Sequence, residues 1–300
     1  MYRKVLVGHD LKAGGDDALA LGRELARATG ADLVVANVFT VAVQYGAEVA
    51  WIQEEEERAA RAIEQVASEA RAEGRALRAM SPTGGLYQVA EEVDADLVIV
   101  GSSHRGKAER ILAGDVALGL LHGSPCAVSV APQGYAGQTR GEWSTIVVGY
   151  DASPEARLAL DDAVELAEMS GAALKLVAVA PEPAIVYGKG ASMGGYQELK
   201  ESIEGQRQTE LDEAVELIPA GVGVEAAVAW GEPGEQLAAA SAGASLLMLG
   251  SRSYGPLRGV LLGSVSREVA RHAPCPVLIH PRGVKSEPRT GPEVDARTVA

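Results

Sequence analysis

Short apolar runs alternate with longer amphipathic stretches along this chain, and the whole alternation occurs twice. In the first half, Lys4–Gly8, Asp32–Phe39 and residues 96–100 read as strands, the last apolar throughout as Leu97-Val98-Ile99-Val100. Between them, residues 16–29 and 54–73 carry apolar positions at helical spacing, and each run is followed by a glycine, Gly30 or Gly74. A weaker strand is predicted over 75–80, helices over 86–93 and Asp115–Leu121, and a final strand over 126–130. The second half predicts strands at Thr145–Gly149, Ala173–Ala180, 223–229, 245–249 and 276–280. Its helices fall at Pro154–Ser170, 198–217, 235–242 and 264–271. Strands apolar on both faces imply a parallel sheet covered by helices on each side.

The repetition is also literal. Gly101-x-x-His104, nine residues, then Gly114-Asp115 recurs as Gly250-x-x-Ser253, nine residues, then Gly263-Ser264. The offset is 149 here and at Ser124-Pro125-Cys126, which returns as Ala273-Pro274-Cys275. It is 141 at the strand openings, Val5-Leu6-Val7-Gly8-His9-Asp10 and Ile146-Val147-Val148-Gly149-Tyr150-Asp151. The second copy therefore carries about eight extra residues, which fall in the glycine-rich stretch 181–195, a candidate lid whose conformation would follow ligand occupancy. Domains are expected at 1–138 and 143–283, joined by a Gly-, Gln- and Thr-rich linker. Residues 284–300, polar and aperiodic, are expected to form a disordered tail. The closing strands 126–130 and 276–280, short and apolar at the domain ends, are the expected edges through which the copies pair.

With 300 residues and 47% hydrophobic content there is enough chain for two cores. The net charge of −14 divides as −5 over residues 1–140 and −9 over the rest. Both halves would repel a phosphate backbone, which argues against nucleic acid as a partner. The absence of a long apolar run argues against a membrane. Two cysteines at equivalent places read as buried thiols rather than a disulfide framework, in keeping with a cytoplasmic location. The five histidines have no metal-ligand spacing, and no nucleophile stands beside a base, so no catalytic or metal residue is assigned.

The candidate chemistry is phosphate binding. Ligands of open α/β sheets settle beyond the carboxyl ends of the strands. There Gly250 follows a strand, and Gly263-Ser264 opens a helix whose N-terminus offers free N–H groups and a positive dipole end. The run from Leu249-Gly250-Ser251-Arg252-Ser253 through Gly263-Ser264-Val265-Ser266 to His272-Ala273-Pro274-Cys275-Pro276, together with Gly149-Tyr150-Asp151 and Gly231-Glu232-Pro233, resembles the universal stress protein family over residues 1–282. The resemblance implies two tandem domains, each an open five-stranded, mainly parallel sheet with helices on both faces (adenine nucleotide alpha hydrolase-like). It implies ATP, accompanied by Mg²⁺, as the ligand of the second copy. Asp151 would lie near ribose and adenine, and Val179 would meet adenine through its backbone. Gly250, Gly263, Ser264, Val265 and Ser266 would surround the phosphates and ribose, and Gly149, Leu249, Ser251, Arg252 and Ser253 are the further residues of the nucleotide site. The first-copy counterparts are Asp10, Val38, Gly101 and Gly114.

Both copies depart from the family's Gly-x-x-Gly, nine residues, Gly-[Ser/Thr] pattern. Ser253 replaces a glycine in the second. The first has His104 at that glycine and Asp115 at the serine. Asp115 also suits a helix N-cap, so a purely structural role stands beside an inhibitory one. A carboxylate about 5 Å from a phosphate charge at effective ε of about 20 costs roughly 3 kcal/mol, or two decades of affinity. The expectation is an ATP site in the second copy and a degenerate first copy packed against it. A slow ATPase and a nucleotide-free adaptor are the competing classes, with a homodimer and a further protein as partners. Gly14-Gly15-Asp16-Asp17 faintly resembles the loop of adenylating pyrophosphatases, but a helix N-cap at Asp16 explains it without chemistry.

Overall fold

The structure, a computed structural model, describes residues 2–40, 49–102, 114–138, 143–182, 193–251 and 263–281. Residues 183–192 of the candidate lid, the loops holding His104 and Arg252-Ser253, and the predicted tail lie outside the described residues. The first copy runs β1 (Lys4–Gly8), α1 (Ala13–Thr29), β2 (Asp32–Phe39), α2 (Val49–Ala70), β3 (Glu73–Arg78), α3 (Pro82–Glu92), β4 (Leu97–Gly101), α4 (Asp115–Leu121) and β5 (Ala127–Ala131). After a single 3-10 turn at Tyr135–Gly137, the second repeats it as β6 (Thr145–Gly149), α5 (Pro154–Ser170), β7 (Ala173–Ala180), α6 (Met193–Glu216), β8 (Val224–Trp230), α7 (Pro233–Ala240), β9 (Leu246–Gly250), α8 (Ser264–His272) and β10 (Val277–His280).

Among the described residues ten strands join one sheet in the order β3-β2-β1-β4-β5-β10-β9-β6-β7-β8. Every pairing is parallel except the central one, where β5 and β10 run antiparallel with Val277 opposite Val130 and Ile279 opposite Val128. The two apolar end strands thus close each other's edges, and Ser129 donates its hydroxyl across the junction to the Val277 carbonyl at 3.0 Å. One apolar layer, under α1, α2, α5 and α6, includes Leu21, Leu25, Ile63, Leu160 and Leu211. The other, under α3, α4, α7 and α8, includes Leu86, Leu120, Leu237 and Val269. Each layer draws residues from both copies, so the core passes through the junction without a break.

Several element ends differ from the sequence reading. Helix α1 starts at Ala13, ahead of the predicted Asp16 cap. Lys12 is the N-cap and gives no side-chain bond; the Asp10 carboxylate acts from outside, accepting from Lys12 N at 3.1 Å and Gly15 N at 3.0 Å. Helix α2 stops at Ala70, and the non-glycine Arg71 takes the left-handed conformation (φ 56°). Gly74 is therefore no helix stop: it lies in β3 beneath α2, where a Cβ would approach Ala67 to 3.2 Å. Helices α3 and α7 both begin earlier than predicted because a proline, Pro82 or Pro233, occupies the first turn, a favoured position for its fixed φ. Ser81 caps α3 by accepting from Gly84 N at 3.1 Å.

The linker is fastened as well as compact. Buried Asp17 on α1 accepts from Gly134 N at 2.9 Å and Ala136 N at 2.8 Å, and Tyr135, 1% exposed, donates to Glu24 Oε2 at 2.6 Å. Cys126 and Cys275 are both buried thiols outside any disulfide. Among the described residues no helix is long and apolar enough to cross a membrane.

Candidate functional site

In each half of the sheet the chain order reverses between the first and fourth strands, β1/β4 and β6/β9, and the crevice beyond their carboxyl ends is the usual ligand position in such sheets. The local build is the same in both. After β1 and β6 the chain turns through a non-glycine residue at positive φ, Leu11 (58°) or Ala152 (58°). Such a conformation costs energy outside glycine and persists when neighbouring bonds hold it. The preceding aspartate supplies them: Asp10 as described, and Asp151 by accepting from Ser153 N at 3.0 Å. Copy two then caps α5 with Ser153, which accepts from Ala156 N at 3.2 Å, and places Pro154 in the first turn.

The first glycines of the repeated motif have a packing reason. A Cβ on Gly101 would collide with the Gly14 carbonyl, and one on Gly250 would fall 2.5 Å from Ala156 N. The first turns of α1 and α5 lie directly against these strand ends, so glycine is required whether or not a ligand binds. The next residues point to something more. Ser102 is 5% exposed and Ser251 0%, and neither hydroxyl has a hydrogen-bond partner among the described residues. Their backbones are engaged, Ser102 N to Ala131 O at 3.0 Å and Ser251 N to His280 O at 2.8 Å. Two equivalent buried hydroxyls, one at each copy's crevice and without partners among the described residues, are an unmet cost that a bound polar group would remove.

Opposite them, α4 and α8 start from glycine N-caps, Gly114 (φ −69°, ψ 171°) and Gly263 (φ −61°, ψ 154°), with no side-chain cap in either. Asp115 is thus the first residue of its helix rather than the cap. Its carboxylate still favours the positive end of the dipole. Ser264 at the equivalent place is exposed and neutral, Val265 is half-buried, and Ser266 is buried.

A cavity of about 550 Å³ fills the crevice of the first copy. All four first-copy candidates, Asp10, Val38, Gly101 and Gly114, line it, with Asp115. Sequence reasoning missed His9, Lys12, Ser102 and Leu86, which also line it. Position supplied the available signal, since His9 and Ser102 each follow a predicted strand. His9 is buried, its Nδ1 accepts from Leu11 N at 3.0 Å, and its Nε2 lies 3.3 Å from Asp16 Oδ1. Gly15 is small because the ring sits against it, with Nδ1 2.7 Å from where a Cβ would be.

In the second copy, Gly149 ends β6 opposite Val177 and Leu249, and half-buried Val179 lies on β7 opposite Ala229. Asp151, Gly250 and Ser251 gather at the same strand ends. Tyr150, in the place of His9, is held above its usual phenol range, chiefly by burial. Glu182, near the start of the candidate lid, accepts from Tyr196 at 3.1 Å and pairs with Lys200 at 3.4 Å, while Lys200 stacks over the Trp230 ring at 4.3 Å; residues 193–195, predicted as the end of the lid, instead open α6.

A third polar cluster joins the copies. His280, the last residue of β10, places Nε2 3.4 Å from the Tyr2 hydroxyl and 3.4 Å from Asp162 Oδ2. Burial pushes the His280 pKa down, against the opposing pull of Asp162, and pushes Tyr2 well up, with Asp162 adding to it.

Comparison with known proteins converges on one family. The model described as universal stress protein family matches residues 1–132 and 142–281. Universal stress protein Rv2005c of Mycobacterium tuberculosis is 30% identical over 199 residues, 66% of this chain and 65% of that protein. The match thus spans a little under two thirds of that relative's length. Universal stress protein YxiE of Bacillus subtilis is 31% identical over 148 residues, 46% of this chain and 98% of its own. Among solved structures, a universal stress protein from Archaeoglobus fulgidus superposes with a TM-score of 0.68 over 94% of this chain and 99% of its own, at 21% identity, a likeness of fold.

Proposed function

The chain belongs to the universal stress protein family, and from that premise we propose that its second copy binds ATP or a related adenine nucleotide while the first serves as its packed partner. The observation that carries the proposal is the contrast at one helix start: a neutral Ser264 opens α8 where the acidic Asp115 opens α4. The Ser251 hydroxyl, without a partner among the described residues, and the first turn of α8, with no side-chain cap, suit an anionic group. Gly250, Gly263, Ser264 and Ser266 would hold the phosphates. Asp151 and the backbone of Val179 would face ribose and base. Bound Mg²⁺ would offset part of the phosphate charge. The protein then acts as a nucleotide-dependent binding and signalling module in the cytoplasm.

The test is Ser264→Asp in the full chain. It copies the first copy's residue and should weaken Mg-ATP binding about 100-fold, roughly 3 kcal/mol by the Coulomb estimate. A fluorescent ATP analogue competed with ATP reads the change. Unaltered affinity would remove α8 from the site.

A further inference from the structure

We propose that the edge strand β8 is an interaction surface for a second molecule of this chain, the two β8 strands pairing antiparallel about a two-fold axis at Ala227. The outer strands of the sheet, β3 and β8, are built differently. Three of the 6 residues of β3 are charged, and its arginines are engaged, Arg75 with Glu73 at 2.5 Å and Arg78 with Glu56 at 3.2 Å. Charges along an edge are a common guard against a further strand. Strand β8, Val-Glu-Ala-Ala-Val-Ala-Trp, carries one charge in 7 residues, and that residue, Glu225, has Lys175 opposite it on β7.

The backbone fixes which groups the edge presents. Gly231 N donates to Ala180 O at 3.0 Å and Leu174 N to Gly223 O at 2.8 Å, so the odd-numbered residues of β8 bond β7. The N–H and C=O groups of Val224, Ala226, Val228 and Trp230 point the other way, where β8 has no strand neighbour among the described residues. Such a row of donors and acceptors is a template for another strand. The order of residues makes β8 complementary to itself. Pairing about Ala227 overlaps the whole strand and sets outward-facing residue against outward-facing residue, Val224 against Trp230 and Ala226 against Val228, as an antiparallel ladder requires. Val224 with Trp230 is a favourable β-branched and aromatic pair, and Glu225 meets Ala229 instead of its own counterpart. The chain already closes two equivalent strands in this way, β5 against β10.

Sedimentation velocity of the full chain from micromolar to sub-millimolar concentration is the test. The expected result is a monomer–dimer equilibrium within that range, as suits an interface confined to one strand edge. Val228→Pro removes an outward N–H while sparing the bonds to β7, and should weaken the dimer at least about 10-fold. Ala79 N bonds Phe39 O as Gly231 N bonds Ala180 O, so Ala76 is the outward counterpart of Val228 on β3, and Ala76→Pro should leave the dimer unchanged. Cross-linking tests the register without proline. Residues facing each other at the axis have Cα atoms about 4.5 Å apart, within disulfide range, so Ala227→Cys should give a covalent dimer on mild oxidation, and Ala229→Cys should not. A monomer throughout the range overturns the proposal. So does a dimer that Val228→Pro leaves intact or that Ala76→Pro weakens equally, and so does equal cross-linking through positions 227 and 229.

Discussion

The two copies share their backbone packing and differ in the side chains that fill it. Gly101 and Gly250 admit the first turns of α1 and α5 in the same way. Where α3 meets α4, Thr83 faces Gly119, with Thr83 Oγ1 2.8 Å from where a Cβ on Gly119 would be. The equivalent contact between α7 and α8 exchanges sizes: Glu268 is now the large residue, its Cβ 2.5 Å from where one on Gly234 would be. One side of each helix pair must be glycine, and the copies solve this from opposite sides. At the crevice mouth there is no such reciprocity. Asp115 stands against Ser264 and His9 against Tyr150, changes that alter chemistry while keeping the fold. The comparison teaches that close packing preserves the scaffold of a duplicated unit while the residues around its ligand diverge.

The strongest way to break the comparison is to deny either copy its glycine. Gly101→Ala and Gly250→Ala should each destabilise by about 3 kcal/mol, since the obstructing atoms are backbone. Urea unfolding reads this, and a loss confined to one variant would show that the scaffolds are not equivalent. Next is Asp17→Ala. It removes the acceptor of two linker amides and should cost about 2 kcal/mol, whereas Leu158, its counterpart on α5, has no such role. Smaller still is the reciprocal swap. Gly119→Glu should destabilise by about 2 kcal/mol, and adding Thr83→Gly should recover about 1 kcal/mol, measured as the coupling in a double-mutant cycle. Additive effects would mean the two helix pairs are not packed as equivalents.

The smallest effect is that of pH. His280 has its pKa lowered in the folded chain, mainly by burial. The unfolded chain therefore takes up a proton first as pH falls through about 6.5, so the stability contributed by neutral His280 is present above that pH and lost below it. Chemical denaturation at pH 7.5 and pH 5 should show the loss, and His280→Phe should flatten it. Cys126 gives the alkaline counterpart. Its thiol is pushed up to about 11 by burial, so stability declines as pH rises above 9.0, where the unfolded thiol ionises.

Much of this architecture was legible in the sequence, for reasons that particular elements make plain. Strands such as Leu97-Val98-Ile99-Val100 are buried on both faces, and a continuous apolar run announces that. The end strands paired as their short, apolar character required. Boundaries were missed where a local bond outranked the pattern: Asp10 started α1 early from outside the helix, and Arg71 ended α2 without a glycine. Of the site, the glycines and Asp115 were visible as a spaced motif. The cavity in the first copy was not, because it depends on Ser102, Leu86 and His9 converging from separate elements. Sequence spacing carries no record of which buried hydroxyl remains without a partner.

The most direct test of unequal copies is calorimetric titration of the nucleotide-stripped chain with Mg-ATP. The account predicts one ATP per chain, lost in Ser264→Asp and retained in Ser102→Ala. Two equal sites per chain would contradict it, because Asp115 would then be tolerated beside a phosphate and the charge difference at α4 and α8 would not divide the copies.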